Sequence, residues 1–107
     1  MSIKIEEVES DGEGCRILRV EGEVDMDSAP TLRDRILKDL QGASVLKVDL
    51  SKVDYLDSSG IAVLIQGFKQ AQRSNVEFRL LNPSSQVKAV IDLAQLNQLF
   101  TIEETGS

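Results

Sequence analysis

The sequence predicts a mixed α/β fold: an opening antiparallel hairpin, then parallel strand–helix units on one sheet, with helices packed against it. Three observations carry this expectation. Segments of alternating hydrophobicity take turns along the chain with segments of helical periodicity. The helical segments open on Asp, Ser or Pro, which suit a first turn. Only the first two strand-like segments are joined by a short polar stretch, and helices separate the others.

Ile3–Val8 and Cys15–Glu21 read as the first two strands. In the second, Leu18 and Val20 alternate with Arg19 and Glu21. The stretch Glu9-Ser10-Asp11-Gly12-Glu13-Gly14 reads as their hairpin loop, because Asp-Gly and a second Gly allow positive φ. A helix is predicted from Ser28-Ala29-Pro30-Thr31-Leu32. Asp27 or Ser28 caps it, and Pro30 costs little in the first turn. Leu32, Ile36 and Leu40 recur on one side with Leu37 beside them. Arg33, Asp34, Lys38 and Asp39 fall on the other, and Gly42 closes the helix.

Val45–Leu50 alternates Leu46, Val48 and Leu50 with Lys47 and Asp49, a third strand. Residues Ser51–Leu56 lead from it into a second helix opened by Asp57-Ser58-Ser59-Gly60. Its predicted buried stripe is Ile61, Leu64, Ile65 and Phe68. Its first turns are apolar nearly all round, so it is expected to be the most buried helix. Val76, Phe78 and Leu80 alternate with Glu77 and Arg79, a fourth strand. Pro83-Ser84-Ser85 begins and caps a third helix with Val87, Val90, Ile91 and Ala94 on one face. Phe100–Glu103 fits a short final strand or helix.

Composition bounds the function. The 107 residues, 41% of them apolar, make a single domain over residues 1–107, which buries about 65% of its unfolded surface. Such a chain folds without disulfides or a metal. Twelve Lys and Arg against 18 Asp and Glu give a net charge of −6. That disfavours binding to nucleic acid or an anionic membrane and suits basic or mixed-charge partners. The absence of His excludes His-based triads, His metal ligands and phosphohistidine chemistry. One cysteine, Cys15, forms no internal disulfide; it reads as a small buried strand residue in a chain of a reducing compartment. No apolar run reaches transmembrane length, and the N-terminus lacks a secretory h-region, so a cytoplasmic protein is expected; an acidic domain of 107 residues with a single full core is expected to be a monomer.

Enzymatic patterns are missing. There is no Gly-x-Ser-x-Gly and no Gly-Lys of a phosphate loop, and Ile17 stands where a Gly-x-Gly-x-x-Gly begun at Gly12 needs its third glycine. A Ser–Lys pair is the one nucleophilic arrangement left open. No catalytic residue and no cofactor is expected.

Two segments stand out, and strand–helix order puts both at the carboxyl ends of parallel strands, where such sheets carry function. Asp57-Ser58-Ser59-Gly60 reads in one way as a helix cap, with Gly60 allowing close approach of helix to sheet. In another, a hydroxyl accepts phosphate, held by free first-turn N–H groups and the helix dipole. A phosphate there sets about −1.5 to −2 charges on the rim beside Asp57. Gly22-Glu23-Val24-Asp25 reads either as a strand end with solvated acids or as a carboxylate, Asp25, offered to a basic partner.

Gly22-Glu23-Val24-Asp25 and Tyr55-Leu56-Asp57-Ser58-Ser59-Gly60-Ile61 together resemble the STAS family, in particular its small bacterial anti-sigma factor antagonists. The Phe78–Pro83 junction and the tail from Val87 to Phe100 extend the likeness over nearly the whole chain. The resemblance implies a partner switch. The unphosphorylated antagonist binds an anti-sigma factor that is also an ATPase-fold Ser/Thr kinase, and so frees a sigma factor. Phosphorylation of Ser58 by that kinase ends the contact, and a separate phosphatase restores it. ATP and Mg²⁺ belong to the kinase. By the same resemblance Asp25, Asp57, Ser59, Gly60 and Ile61 belong to the partner-binding surface, with Ser59 a supporting hydroxyl. A STAS adaptor subunit of a lipid-trafficking ABC transporter is the alternative reading, and a small-ligand sensor a third.

Overall fold

A computed structural model describes residues 3–8, 12 and 14–105 of the chain. Its elements run β1 (Ile3–Val8), β2 (Cys15–Val24), α1 (Ala29–Asp39), β3 (Val45–Leu56), α2 (Ser58–Arg73), β4 (Glu77–Leu81), α3 (Ser85–Leu93) and β5 (Thr101–Glu103). Most of the expected hairpin loop, Glu9–Asp11 and Glu13, lies outside the described residues.

The five strands form one sheet in the order β1-β2-β3-β4-β5. β1 pairs antiparallel with β2, and each later neighbour is parallel. The mixed sheet expected from the alternating pattern is therefore present, and the ambiguous tail resolves as a strand, β5. After the β1–β2 pair, each step moves one place across the sheet through a helix, and right-handed crossovers then keep the helices on one face. α1 and α2 pack against each other there.

Alternation decides what each strand buries. Leu18 and Val20, Leu46, Val48 and Leu50, and Phe78 and Leu80 are buried in one core with Leu32, Ile36, Leu64, Val87 and Ile91 from the helices. The residues between them build a polar face by register. Arg19 lies opposite Asp49, Asp49 opposite Leu81, and Leu81 opposite Glu103. Lys47 lies opposite Arg79. The charges on that face are paired: Arg19 with Asp49 at 3.5 Å, and both Lys47 and Arg79 with Glu103 at 3.1 Å.

Four expectations need correction. First, β2 and β3 run on past the alternating runs. Gly22 pairs with Val53, Glu23 with Tyr55 and Val24 with Leu56, with register shifts between Arg19 and Glu21 and between Gly22 and Glu23. Gly22-Glu23-Val24 thus belongs to the strand, and Ser51–Leu56 is strand rather than connection. The shifts break the period of two, and Gly22 takes φ of 107°, a conformation that favours glycine.

Second, the buried line of α2 is Gly60, Val63, Leu64, Gly67 and Ala71. Of the stripe expected from hydrophobicity, only Leu64 is fully buried, while Ile61, Ile65 and Phe68 flank the core. The glycines set this rotation. A Cβ on Gly60 would run into the Leu56 side chain and come within 2.9 Å of Val24 Cγ1; one on Gly67 would lie 2.9 Å from Ile36 Cγ2. The helix sits closest to its neighbours where side chains are absent, and the larger residues fill the flanks. Phe68 there meets Phe100 edge-on, with ring centroids 6.0 Å apart.

Third, Ser28 stands at the N-cap of α1 without capping it through its side chain. Its hydroxyl turns back toward the preceding loop. Ser84, by contrast, caps α3 as expected, accepting from Val87 N at 3.3 Å while donating to Val53 O at 2.7 Å. Fourth, Cys15 is half-buried rather than buried.

Candidate functional rim

The carboxyl ends of β2 and β3 bring the two singled-out segments together. Val24 and Leu56 are register partners, and Asp57 N donates to Val24 O at 3.3 Å. The next residues, Asp25 and Asp57, therefore leave adjacent strands side by side. Ser58 follows as the first residue of α2 and is exposed.

Asp57 caps α2. Its Oδ1 accepts from Ser59 N at 2.9 Å and Gly60 N at 3.3 Å, while its carbonyl accepts from Ile61 N at 3.0 Å. This alters the expectation that free first-turn N–H groups face the Ser58 oxygen. The Asp57 carboxylate already uses two of them. A phosphate on Ser58 would find the dipole and its own N–H, but beside a carboxylate that holds the other donors. Its charge would be expressed toward solvent or a partner. Ser59 is half-buried, and its amide rather than its hydroxyl does the bonding seen at this turn. Gly60 is buried at the helix–sheet contact, and Ile61 is half-buried beside it.

Asp25 is built into a tight loop. Its Oδ1 accepts from Asp27 N and Ser28 N, each at 3.0 Å, and the Ser28 hydroxyl lies 3.2 Å away. That hydroxyl accepts from Asp25 N at 3.0 Å and donates to Glu23 O at 2.7 Å. Ser28 is 4% exposed, so this clamp is internal. The Ser28 backbone N–H, above all, holds the Asp25 carboxyl below its ordinary 3.8, with the Ser28 hydroxyl and Asp27 N–H adding to it against a partial burial penalty. Asp25 is a fixed carboxylate, not a wandering one.

Acids outnumber bases at this end, where Lys4 and Lys52 line a shallow cavity with Glu21 and Asp54. Residues 20–32 hold four acids and no Lys or Arg: Glu21, Glu23, Asp25 and Asp27. Residues 53–68 hold Asp54 and Asp57 and again no base, and no base follows Lys88. Lys52 pairs with Glu21 at 3.9 Å. Among the described residues, no Lys or Arg forms an ion pair with Glu23, Asp25, Asp27, Asp54 or Asp57.

Apolar surface interrupts the acids. Met26 is 75% and Tyr55 45% exposed, and Leu93 on α3 is 87% exposed. A shallow groove of about 240 Å³ runs between α2 and α3, lined by Asp57, Ser58, Ile61, Val90, Leu93 and Ala94. Sequence reasoning missed this feature. It placed Val90 and Ala94 on the core face of the third helix; only Val87 and Ile91 are buried there. The face continues past the core to the side of Ser58. Helical periodicity shows which side of α3 is apolar, but not where along it the core ends.

A second, larger cavity of about 640 Å³ lies at the other end of the sheet, lined by Leu37, Leu40, Gln41, Gly42, Ala43, Gln70, Ser74 and Val76. It carries no charged side chain and is remote from Ser58. Among the described residues, no helix is long and apolar enough to cross a membrane.

Known proteins resemble this chain in sequence and fold. An anti-sigma-B factor antagonist of Listeria monocytogenes serovar 1/2a is 29% identical over 104 residues, 96% of this chain and 90% of that protein. The anti-sigma-B factor antagonist of Bacillus subtilis is 28% identical over 85 residues, 79% of this chain and 78% of that one. The crystal structure of an anti-sigma factor antagonist from Mycobacterium paratuberculosis superposes with a TM-score of 0.85 at 26% identity, covering 95% of this chain and 86% of that chain. The family model described as the STAS domain matches residues 4–106, and with the mixed sheet, the capped α2 and the rim in place, the chain belongs to the STAS domain family.

Proposed function

We propose that this chain is an anti-sigma factor antagonist controlled by phosphate on Ser58. One observation carries the reading: an exposed serine opens α2 beside Asp57 and Asp25, two carboxylates held in place by backbone N–H donors. The names of the two bacterial relatives, which span most of this chain, support the class of partner. In the unphosphorylated state the rim binds an anti-sigma factor of the ATPase-fold Ser/Thr kinase type, so that its sigma factor is released. The partner's surface is basic, facing Asp25 and Asp57, with Gly60 and Ile61 at the margin of the contact and Ser59 supporting the turn.

The bound kinase then transfers the γ-phosphoryl group of its ATP to the Ser58 hydroxyl oxygen. A new O–P bond forms, the bond from phosphorus to the β–γ bridging oxygen breaks, the hydroxyl proton passes to a base of the kinase, and ADP leaves. This chain supplies only the acceptor. A dianion then stands beside Asp57, whose carboxylate already occupies the Ser59 and Gly60 donors. Burying that uncompensated charge in an interface costs several kcal/mol, and about 1.4 kcal/mol is tenfold in affinity. The contact opens, and a separate phosphatase resets it. The cycle takes place in the cytoplasm, with this chain as a monomer.

The test is a capture from lysate of the native host, with wild type and Ser58→Asp as baits and mass spectrometry of what each retains. The expected result is an ATPase-fold kinase held by wild type and lost by Ser58→Asp. Equal retention by both of transporter ATPase or permease subunits would make the chain an adaptor and leave Ser58 an ordinary first-turn residue. Phosphate incorporation that survives Ser58→Ala but not Ser59→Ala would move the acceptor by one position.

A further inference from the structure

We propose that the groove between α2 and α3 seats an apolar side chain of the basic partner, and that phosphate on Ser58 works chiefly by spoiling this seat. The inference rests on the antagonist reading and adds a contact to it. Ile61, Val90, Leu93 and Ala94 form the apolar walls, and Asp57 and Ser58 close one side. At about 240 Å³ the groove falls below the 300–1,000 Å³ of small-molecule sites and suits one aliphatic or aromatic side chain. Leu93, at 87% exposed, is a large apolar residue left uncovered by the fold.

Charge selects the occupant. The two segments that line the groove, residues 57–61 and 90–94, hold Asp57 and Asp92 and no Lys or Arg. A second copy docked through the same patch would set acids against acids, since a two-fold contact brings each surface to itself. An anionic lipid surface is repelled for the same reason. A protein with an apolar side chain ringed by bases fits both halves, the groove and the carboxylates. That is the common anatomy of a recognition surface, with an apolar anchor at the centre and polar groups around it.

Ser58 belongs to both halves. It neighbours Asp57 on the acidic rim and also walls the groove. A phosphate on its oxygen would place a hydrated dianion against the seat of the anchor. Seating the anchor would then require stripping water from the dianion. That penalty is short-ranged and little screened, whereas the attraction between rim acids and partner bases weakens with salt. The two contributions are separable by ionic strength.

The experiment uses the purified ATPase-fold protein that wild type retains. Its affinity is measured calorimetrically for wild type, Leu93→Ala, Asp25→Asn and Ser58→Asp, and for the double variant of Leu93→Ala with Ser58→Asp. Each is run at low salt and at about physiological salt. Leu93→Ala should fold with an unchanged melting temperature and bind about tenfold more weakly by the same factor at both salts. Asp25→Asn should lose most of its effect at the higher salt. The further loss from Ser58→Asp should be smaller in the Leu93→Ala background than in wild type, because the two changes damage one seat. Wild-type affinity for Leu93→Ala would overturn the inference and leave the antagonist reading standing. Additive losses would overturn the shared mechanism. A wild-type dimer abolished by Leu93→Ala would give the groove to a second copy and overturn it too. Retention of no ATPase-fold protein by wild type would remove both readings together.

Discussion

Two regions of this molecule use the same residue types to opposite ends. The polar face of the sheet carries Arg19, Lys47, Asp49, Arg79 and Glu103, and every one of them has an opposite charge within 3.5 Å. The rim carries Glu23, Asp25, Asp27, Asp54 and Asp57, and no cation pairs with them among the described residues. Paired charges satisfy one another and leave a surface near neutral. Acids held by backbone donors, as Asp25 is by Ser28 N–H and Asp57 by Ser59 N–H, keep a field that a basic partner can meet. Formal charge alone does not separate a solvated face from a docking face. The arrangement of partners does.

The most damaging way to break the rim is from below. Gly60 is the point at which α2 touches the end of the sheet, and an added Cβ meets Leu56 and Val24. These two residues directly precede Asp57 and Asp25. Gly60→Ala should cost about 1–3 kcal/mol through overpacking. In a domain of this size that lowers the melting temperature by roughly 4–8 °C per kcal/mol. Calorimetric melting checks it. An unchanged melting temperature would mean that the helix moves away from the sheet without cost, and that the rim is softer than its contacts indicate.

A charge reversal on each region sharpens the comparison directly. Asp25→Lys should weaken partner binding about tenfold or more at low salt, chiefly through the association rate, with little change in melting temperature. Lys47→Glu should do the converse. It sets a second carboxylate against Glu103, lowers the melting temperature and leaves partner binding at the wild-type value. Stopped-flow association together with thermal melts would test both. Equal effects of the two reversals on binding would erase the distinction between the regions.

How much of this was legible in the sequence differs between the same two regions. The polar face was readable because alternation is strict there: Leu46, Val48 and Leu50 enter the core, while Lys47 and Asp49 take the opposite face, where Arg19 covers the buried Asp49. The rim was readable only in outline. Asp57 announces a cap, and Gly60 a close approach, because each role depends on chemistry within a few residues. The bulges after Arg19 hid the last turn of β2, since each register shift interrupts the period that identifies a strand. Ser28 was misread for a related reason. A serine before a helix usually bonds forward into the first turn, but here it bonds backward to Glu23 and Asp25. The groove had no local signature at all. It exists because α3 crosses near the start of α2, a tertiary fact that sets Leu93 near Ser58.

The smallest expected effect tests whether the paired face is paired by charge. The hydrogen bond from Lys47, then that from Arg79, holds the Glu103 carboxyl below its ordinary 4.5. In the unfolded chain the group returns to that ordinary value. A depressed carboxyl binds its proton less readily when folded, so its contribution is complete above about 4.5. It declines as pH falls through the lowered folded value and is absent below it. Glu103→Gln keeps the shape and removes the titration. The melting temperature of wild type should therefore exceed that of Glu103→Gln by a constant amount from neutral pH to about pH 5. The gap should close as the solution is made more acid. Asp25, also depressed, is present in both proteins and cancels from the difference. A gap that stayed constant into acid would show that Glu103 acts through packing at the β4–β5 edge. The polar face would then owe its order to something other than the pairing that sets it apart from the rim.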